Sequence, residues 1–470
     1  MTTRDTAIEG ARDYFDNGGF QRDLARRVAI QSTSQDPDHA DSLRQYLEDE
    51  MRVSLEALGY DCRVFPNPVA DAGPILIAER IEDEAFPTVL TYGHGDTVRG
   101  LDDMWAEGRD PWTLTADGDR LYGRGTADNK GQHSVNIGAL GAVIAARGAL
   151  GFNSRILIET GEEIGSTGLR EFCAEHADGL LAADLFLSSD GPRVAPETPT
   201  LFLGARGVYP FEISVNLRDG GHHSGNWGGL IANPAILLAQ ALAAITDGRG
   251  AIRVPEWRPN SLTNSVRHAL GGLEVQGGAN APEIESDWGE PGLTPAERVY
   301  GWNSFEILAF TSGTPERPVN AIPPSAKAFC HLRYVVGIDE DDIVAALRRH
   351  LEANGHDRIE VEKSASGFLR ATRLDPDDPW VGWTANSVAR TTGAAPAILP
   401  NLGGSLPNDV FSEVLGLPTI WVPHSYAGCS QHAPDEHLLG PVAREGLEIM
   451  AGLFWDLGDK GSELPNRTMV

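Results

Sequence analysis

The chain has 470 residues, 41% of them hydrophobic and 22% charged, an ordinary mixture for a folded globular protein. Acidic side chains number 67 against 38 basic ones, and the net charge of -29 excludes nucleic acid and anionic membrane surfaces as natural partners. The length points to two domains rather than one core.

The opening "MTTRDTAIEGARDYFDNGGF" lacks the basic stretch and apolar core of a signal peptide. The longest apolar run, "IGALGAVIAA", falls far short of the roughly 20 residues of a membrane span. Cys62, Cys173, Cys330 and Cys429 stand far apart with no C-x-x-C pair, which reads as buried thiols of a cytoplasmic protein. Residues up to Gly59 read as helices: Leu43, Tyr46, Leu47, Met51, Leu55 and Leu58 keep a helical period that ends at the glycine. Strands "GPILIAER", "PTVLTYGH", "SRILIETGEE" and "ADLFLSSDG" then alternate with helices "NKGQHSVNIGALGAVIAARG" and "TGLREFCAEHA". That is the pattern of an α/β sheet covered on both faces. Near Gly204 the texture changes. "TLFLGARGVYPFEISVNL" alternates like an antiparallel strand, and "NPAILLAQALAAI" follows as a helix. A polar stretch rich in Gly, Pro and Trp runs from Asp247 to Trp302; residues 250–300 carry no motif and are candidates for shaping a specificity pocket. Strands "SFEILAF", "AKAFCHLRYVV" and "RIEVEKSAS" follow, with the helix "DEDDIVAALRRHLEANG" before the last. After Arg373 the α/β texture returns with the strand "LPTIWVPHS" and the helix "AREGLEIMAGLFWDL". The chain therefore reads as an α/β catalytic domain of residues 1–205 and 374–470, interrupted by an α+β domain of residues 206–373.

Four segments set acidic or imidazole groups just after a strand or in a Gly-rich turn. They are "GHGDT" with His94 and Asp96, "GRGTADNKG" with Asp128, "ETGEEIGS" with Glu162 and Glu163, and "SSDGP" with Asp190. A fifth, "CSQHAPDE", brings His432 from the returning half. Open α/β sheets gather ligands at the carboxyl ends of their strands. Singly, each segment has an ordinary reading as a turn histidine, a helix cap, a solvated pair or a turn aspartate. Together, two imidazoles and several carboxylates are what a two-cation site requires, and imidazole favours zinc over magnesium. "GRGTADNKG" lacks the order of a phosphate loop, since Gly131 follows Lys130. No G-x-S-x-G nucleophile elbow occurs.

In their order, G-H-x-D-T, G-R-G-x-x-D-x-K-G, E-E-x-G-S, S-D-G and H-x-P-x-E, these motifs resemble the M20 metallopeptidase family over nearly the whole chain. The resemblance implies a zinc-peptidase-like catalytic domain, with a mixed central sheet flanked by helices, interrupted by an α+β lid and dimerisation domain. It implies two divalent metal ions per subunit, zinc by the ligand chemistry, with manganese or cobalt as alternatives. His94 and Asp190 match ligands of one ion, Glu163 and His432 ligands of the other, and Asp128 the carboxylate shared by both. Asp96 matches the group that orients His94, and Glu162 the general base. In the inserted domain, His223 of "HHSG" matches a histidine that helps bind the scissile carbonyl, often from the partner subunit. Asn320 and Arg333 match substrate contacts, the arginine by its planar fork. Gly403, Gly404 and Ser405 of "NLGGSLPND" match a substrate-binding turn.

The implied activity is hydrolysis of a peptide or amide bond next to a small, carboxylate-bearing amino acid, by a cytoplasmic homodimer joined through the inserted domain. The length and the "HSGNWGG" segment favour a dipeptidase. The alternative is an N-acyl amino-acid deacylase with the same metal site. A non-catalytic binding relative should have lost ligands or the base, and all are present here.

Overall fold

The computed structural model describes residues 3–275, 282–364 and 367–459. Residues 276–281 of the polar middle stretch, 365–366 of "RIEVEKSAS" and the two chain ends lie outside them. Helix α1 (Arg4–Asp16) starts under a capping box of Thr3 and Thr6. The helical period before Gly59 is real but interrupted: Tyr46–Met51 forms a π-helical turn between two α-helical pieces. Then come β1 (Asp61–Phe65), β2 (Ile75–Arg80), β3 (Thr88–His94), α2 (Lys130–Arg147), β4 (Asn153–Glu159), β5 (Leu185–Ser188) and β6 (Thr200–Phe202). The middle of the chain supplies β7 (Gly207–Asn216), α3 (Pro234–Ile245), β8 (Ser304–Ser312), β9 (Ser325–Tyr334), α4 (Ile343–Ala353) and β10 (Glu360–Lys363). The returning segment supplies α5 (Pro379–Thr392), β11 (Ala397–Leu399), β12 (Thr419–Trp421) and α6 (Gly440–Leu457). Helix α5, not anticipated above, has an ordinary start signal: Asp378 accepts the Trp380 N–H and Pro379 opens the first turn.

An eight-stranded mixed sheet runs in the order β1-β2-β4-β3-β5-β12-β6-β11. Its centre, β4, β3, β5 and β12, is parallel. Strand alternation sends Val89, Ile156, Leu185 and Ile420 to one buried face, against residues of α1, α2, α5 and α6. Leu90, Leu157, Phe186 and Trp421 point to the other. Burial on both faces is what the near-continuous apolar strands require. A second sheet, β8-β9-β7-β10, is antiparallel throughout. Its inner residues, among them Phe211, Ile213, Ala328 and Leu332, pack with α3, α4 and Trp257 in a core of their own.

The alternating segment around Gly204 is not one strand. Strand β6 ends in the large sheet and β7 begins the second. The break falls where a Cβ on Gly204 would sit 2.1 Å from the Thr372 carbonyl oxygen. The outgoing and returning connections cross there at backbone contact, and the Asn401 amide donates to the carbonyls of both Ala205 and Thr372 at 3.2 and 2.7 Å. The polar middle stretch also folds locally. Helices Asn264–Leu270 and Pro295–Tyr300 bury Val266, Leu270 and Ala296 in the cluster on the second face of the large sheet. Among the described residues, no helix is long and apolar enough to cross a membrane.

Candidate metal centre

Strands β4, β3 and β5 are parallel neighbours, so their carboxyl ends open together. His94 ends β3 opposite Glu159 of β4. Beyond β4 the chain turns at Gly161 and carries Glu162 and Glu163 into a short 3-10 helix. Asp190 follows the end of β5. Asp128 arrives on the loop before α2, through a cis peptide bond to Asn129. His432 lies on the loop after β12, where Ser430, His432 and Asp435 take φ of 57°, 60° and 60°, a region side chains rarely enter.

His94 Nε2 lies 2.9 Å from Asp128 Oδ1 and 3.8 Å from Asp190 Oδ2. His432 Nε2 lies 3.0 Å from both Asp128 Oδ2 and Glu163 Oε2. The result is two ligand groups, His94–Asp128–Asp190 and Asp128–Glu163–His432, each with its ligand atoms within 4.8 Å of one another. Asp190 Oδ2 is buried and has no hydrogen-bond partner among the described residues. A buried anion left that way is costly unless a cation faces it. Imidazoles and carboxylates in this arrangement fit divalent cations.

The electrostatics point the same way. Burial, and then the Asp128 charge, pushes Asp190 up to about 6 and Glu163 up to about 7. For Asp128 burial opposes ionisation, but hydrogen bonds from His432 and His94 hold it well below the usual carboxylate range. The bonds to Asp128 and Glu163 raise His432 to about 10. Burial lifts Glu162 well above its ordinary range; His94 opposes the shift, and the charges of Glu163, Asp128 and Asp190 add to it. Unlike Glu163, its side chain bonds to no described residue, and it lines a cavity of about 340 Å³.

Buried contacts hold these groups in place. Asp96 Oδ1 lies 3.4 Å from His94 Nδ1, and its carboxylate accepts the backbone N–H groups of Glu162 and Glu163 at 3.2 and 3.1 Å. One carboxylate thus ties the imidazole to the Glu-Glu turn. Glu436 ends the H-x-P-x-E motif, a signal to which the sequence reading attached no role. It pairs with Arg124 Nη1 at 2.6 Å and accepts the N–H groups of Ala127 and Asp128 at 3.0 and 3.2 Å. Tyr46 and His133 carry no motif at all. The Tyr46 hydroxyl lies 2.6 Å from His133 Nε2, His133 Nδ1 lies 3.0 Å from Asn129 Oδ1, and Asn129 Nδ2 donates to the Ser189 carbonyl at 2.9 Å. Since Asn129 donates through Nδ2, its Oδ1 accepts; His133 therefore donates from Nδ1 and accepts from Tyr46 at Nε2. This chain of bonds spans the backbone from beside Asp128 to beside Asp190.

The Gly-rich turn joins the ligands: Gly403, Gly404 and Ser405 line the same cavity as Asp128, Glu162, Asp190 and His432. Arg333 reaches the turn from β9, donating from Nη1 to Ser405 Oγ at 2.8 Å. His223 and Asn320 stand apart. Both are exposed and meet at a short ribbon that pairs His222–His223 with Ala321–Ile322, outside that cavity. There His223 Nδ1 accepts the Gly225 N–H at 3.1 Å, and the Asn320 carbonyl accepts the Ser224 N–H at 3.0 Å.

The family model for peptidase family M20/M25/M40 matches residues 90–456. "Beta-Ala-His dipeptidase" of Homo sapiens is 34% identical over 466 residues, 93% of this chain and 90% of that protein. "Cysteinylglycine-S-conjugate dipeptidase" of Corynebacterium striatum is 26% identical over 399 residues, 82% of this chain and 83% of that protein. Among solved structures, the di-peptidase Dug1p of Saccharomyces cerevisiae matches with a TM-score of 0.76 at 20% identity, over 98% of this chain and 100% of that one. Human carnosine dipeptidase 1 matches with a TM-score of 0.71 at 24% identity, over 96% and 99%. At such identities the structural likeness speaks for the fold.

Proposed function

The chain belongs to peptidase family M20/M25/M40, and from that premise we propose that it is a metal-dependent dipeptidase, cleaving the bond next to a small, carboxylate-bearing amino acid. What carries the proposal is the carboxylate of Asp128, reached by His94 from one side and His432 from the other, beside an Asp190 oxygen with no hydrogen bond from any described residue. In this reading residues 1–205 and 374–470 form the catalytic domain and residues 206–373 the lid; the second sheet has a core of its own, while Val266, Leu270 and Ala296 of the lid segment pack on the large sheet.

Two divalent cations, zinc or alternatively manganese or cobalt, would be held by His94, Asp128 and Asp190 and by Asp128, Glu163 and His432. Bound there, they supply Lewis acidity toward water and the scissile carbonyl. The remaining work falls to the chain. Asp96 fixes the His94 ring, as metal-binding histidines require. Glu162, which lines the cavity and bonds to no described residue, takes the proton from the attacking water and delivers it to the leaving amine. Arg333, Ser405 and the backbone of Gly403 and Gly404 hold the substrate carboxylate.

His223 and Asn320 lie outside the cavity, so we assign them to the partner's site in a homodimer. Exposed Trp227, Leu230 and Val319 around that ribbon, and Ile307, Leu308 and Phe310 on the edge strand β8, are the kind of apolar grouping that marks an interface. A fully active monomer in sedimentation would remove the assignment in trans. Four free, buried cysteines suit a reducing compartment, and we place the protein in the cytoplasm.

The test is amine release by metal-loaded protein from unblocked dipeptides, beside N-acyl amino acids and a chelated control. Chelator-sensitive release from dipeptides is expected. Release from N-acyl substrates alone would make the protein a deacylase, and no release from either would overturn the hydrolase reading of the site.

A further inference from the structure

Residues 250–300 carry no motif, but two of them, Val299 and Tyr300, line the catalytic cavity. The short helix Pro295–Tyr300 is fixed at its start by the Thr294–Glu297 capping box, with Pro295 in its first turn. Ala296 anchors it in the cluster that holds Phe202, Leu402 and Leu406. Val299 and Tyr300 then overhang the Gly-rich turn: a Cβ on Gly403 would lie 3.3 Å from Val299 Cγ1 and 3.6 Å from Tyr300 Cε1. Both residues line the cavity together with Leu399, Leu402 and Leu406, whereas its titratable wall is Asp128, Glu162, Asp190 and His432. Arg193 also lines it, but Glu445 meets that charge, the Pro423 and Pro196 carbonyls hold the guanidinium, and its Nη2, without a hydrogen-bond partner among the described residues, is itself buried in the wall. The Tyr300 hydroxyl bonds to no described residue, and burial raises its pKa, so it stays a neutral donor.

We infer that Val299 and Tyr300 select the carboxylate-bearing residue of the substrate, favouring an uncharged, apolar side chain of limited size over an acidic or basic one. The inference rests on the dipeptidase reading above. With the substrate carboxylate at Gly403–Ser405 and Arg333, the side chain of the same residue lies against the overhanging helix. A charged side chain there loses its water without gaining a counter-charge. A bulky one meets Val299, while the Tyr300 hydroxyl offers one hydrogen bond to any peptide that fits.

The experiment measures kcat/KM of the zinc- or manganese-loaded protein for Ala-Gly, Ala-Leu, Ala-Phe, Ala-Asp and Ala-Lys. Ala-Leu is expected to exceed Ala-Asp and Ala-Lys by about ten-fold or more. Val299→Ala should raise the ratio of Ala-Phe to Ala-Leu by about ten-fold. Tyr300→Phe should raise KM by about five-fold with little change in kcat. Equal rates for Ala-Leu and Ala-Asp, or a Val299→Ala ratio within about two-fold of the parent's, would overturn selection by this wall and leave the dipeptidase reading standing. Absence of turnover with every dipeptide would overturn that reading and this inference with it.

Discussion

Glu162 and Glu163 are chemically identical neighbours with different surroundings. Glu163 Oε2 is 3.0 Å from His432 and belongs to a ligand group. Glu162 lines the cavity and bonds to no described residue, its carboxyl pKa raised by burial. Glu162→Gln keeps the shape and removes the proton-carrying group. We expect kcat to fall by about a thousand-fold, within the range general acid–base groups contribute, with metal content by elemental analysis unchanged. Near-normal turnover would remove Glu162 as the base. Sequence alone named both glutamates, because two acids after an apolar strand are conspicuous. Their division of labour came from the family resemblance. Tyr46 and His133 were illegible for a physical reason: an isolated tyrosine and a histidine inside a helix look like core until their partners are known.

At the scale of elements, β2, β3, β4, β5 and β12 of the large sheet were readable because each is an apolar run bounded by turn residues, whereas β1, with Asp61 and Arg63, and the three-residue β11 carry no such run and were not named. The strand assignment around Gly204 failed because alternation reports which face a residue takes, not which sheet it joins; the break is imposed by Thr372, far along the chain. The loop carrying Asp128 shows the same dependence on distant residues. Its position is set by the buried pair of Arg124 and Glu436, the latter bonded to two of the loop's N–H groups. Glu436→Gln leaves an acceptor for those N–H groups but strips the buried arginine of its counter-charge, a change of about 3–5 kcal/mol in comparable buried pairs. We expect a lower melting temperature and metal affinity weakened by about ten-fold or more in a competitive chelator titration. Unchanged affinity in a folded variant would show that the loop holds Asp128 without this pair.

The whole molecule closes its site by bringing His432 from the returning segment onto carboxylates of the first, and folding and cation binding are therefore coupled. The sign of the coupling follows from the raised carboxyls. Glu163 at about 7 and Asp190 at about 6 sit above their ordinary values. Their contribution to stability is present while they are protonated and is lost as pH rises through those values. A cation reverses this, since its affinity grows as its ligands lose their protons, and binding to the folded state alone adds stability. Asp128, which its burial would raise but hydrogen bonds from His432 and His94 hold low, is already ionised from about pH 5 to about pH 8, whereas His432, raised to about 10, keeps its proton across that window and gives it up to a bound cation, which widens the gap with pH in the same sense. Lys130, lowered to about 7 by burial, and Glu159, raised to about 7 by burial, titrate inside that window. Neither belongs to a ligand group, so their effects, like the repulsion of an acidic surface, are common to both samples and largely cancel in the difference. The readout is the gap in melting temperature between zinc-supplied and chelated protein. It should be small near pH 5 and widen steadily toward pH 8. A gap that stays constant or narrows with rising pH would mean that these carboxylates are not what a bound cation neutralises.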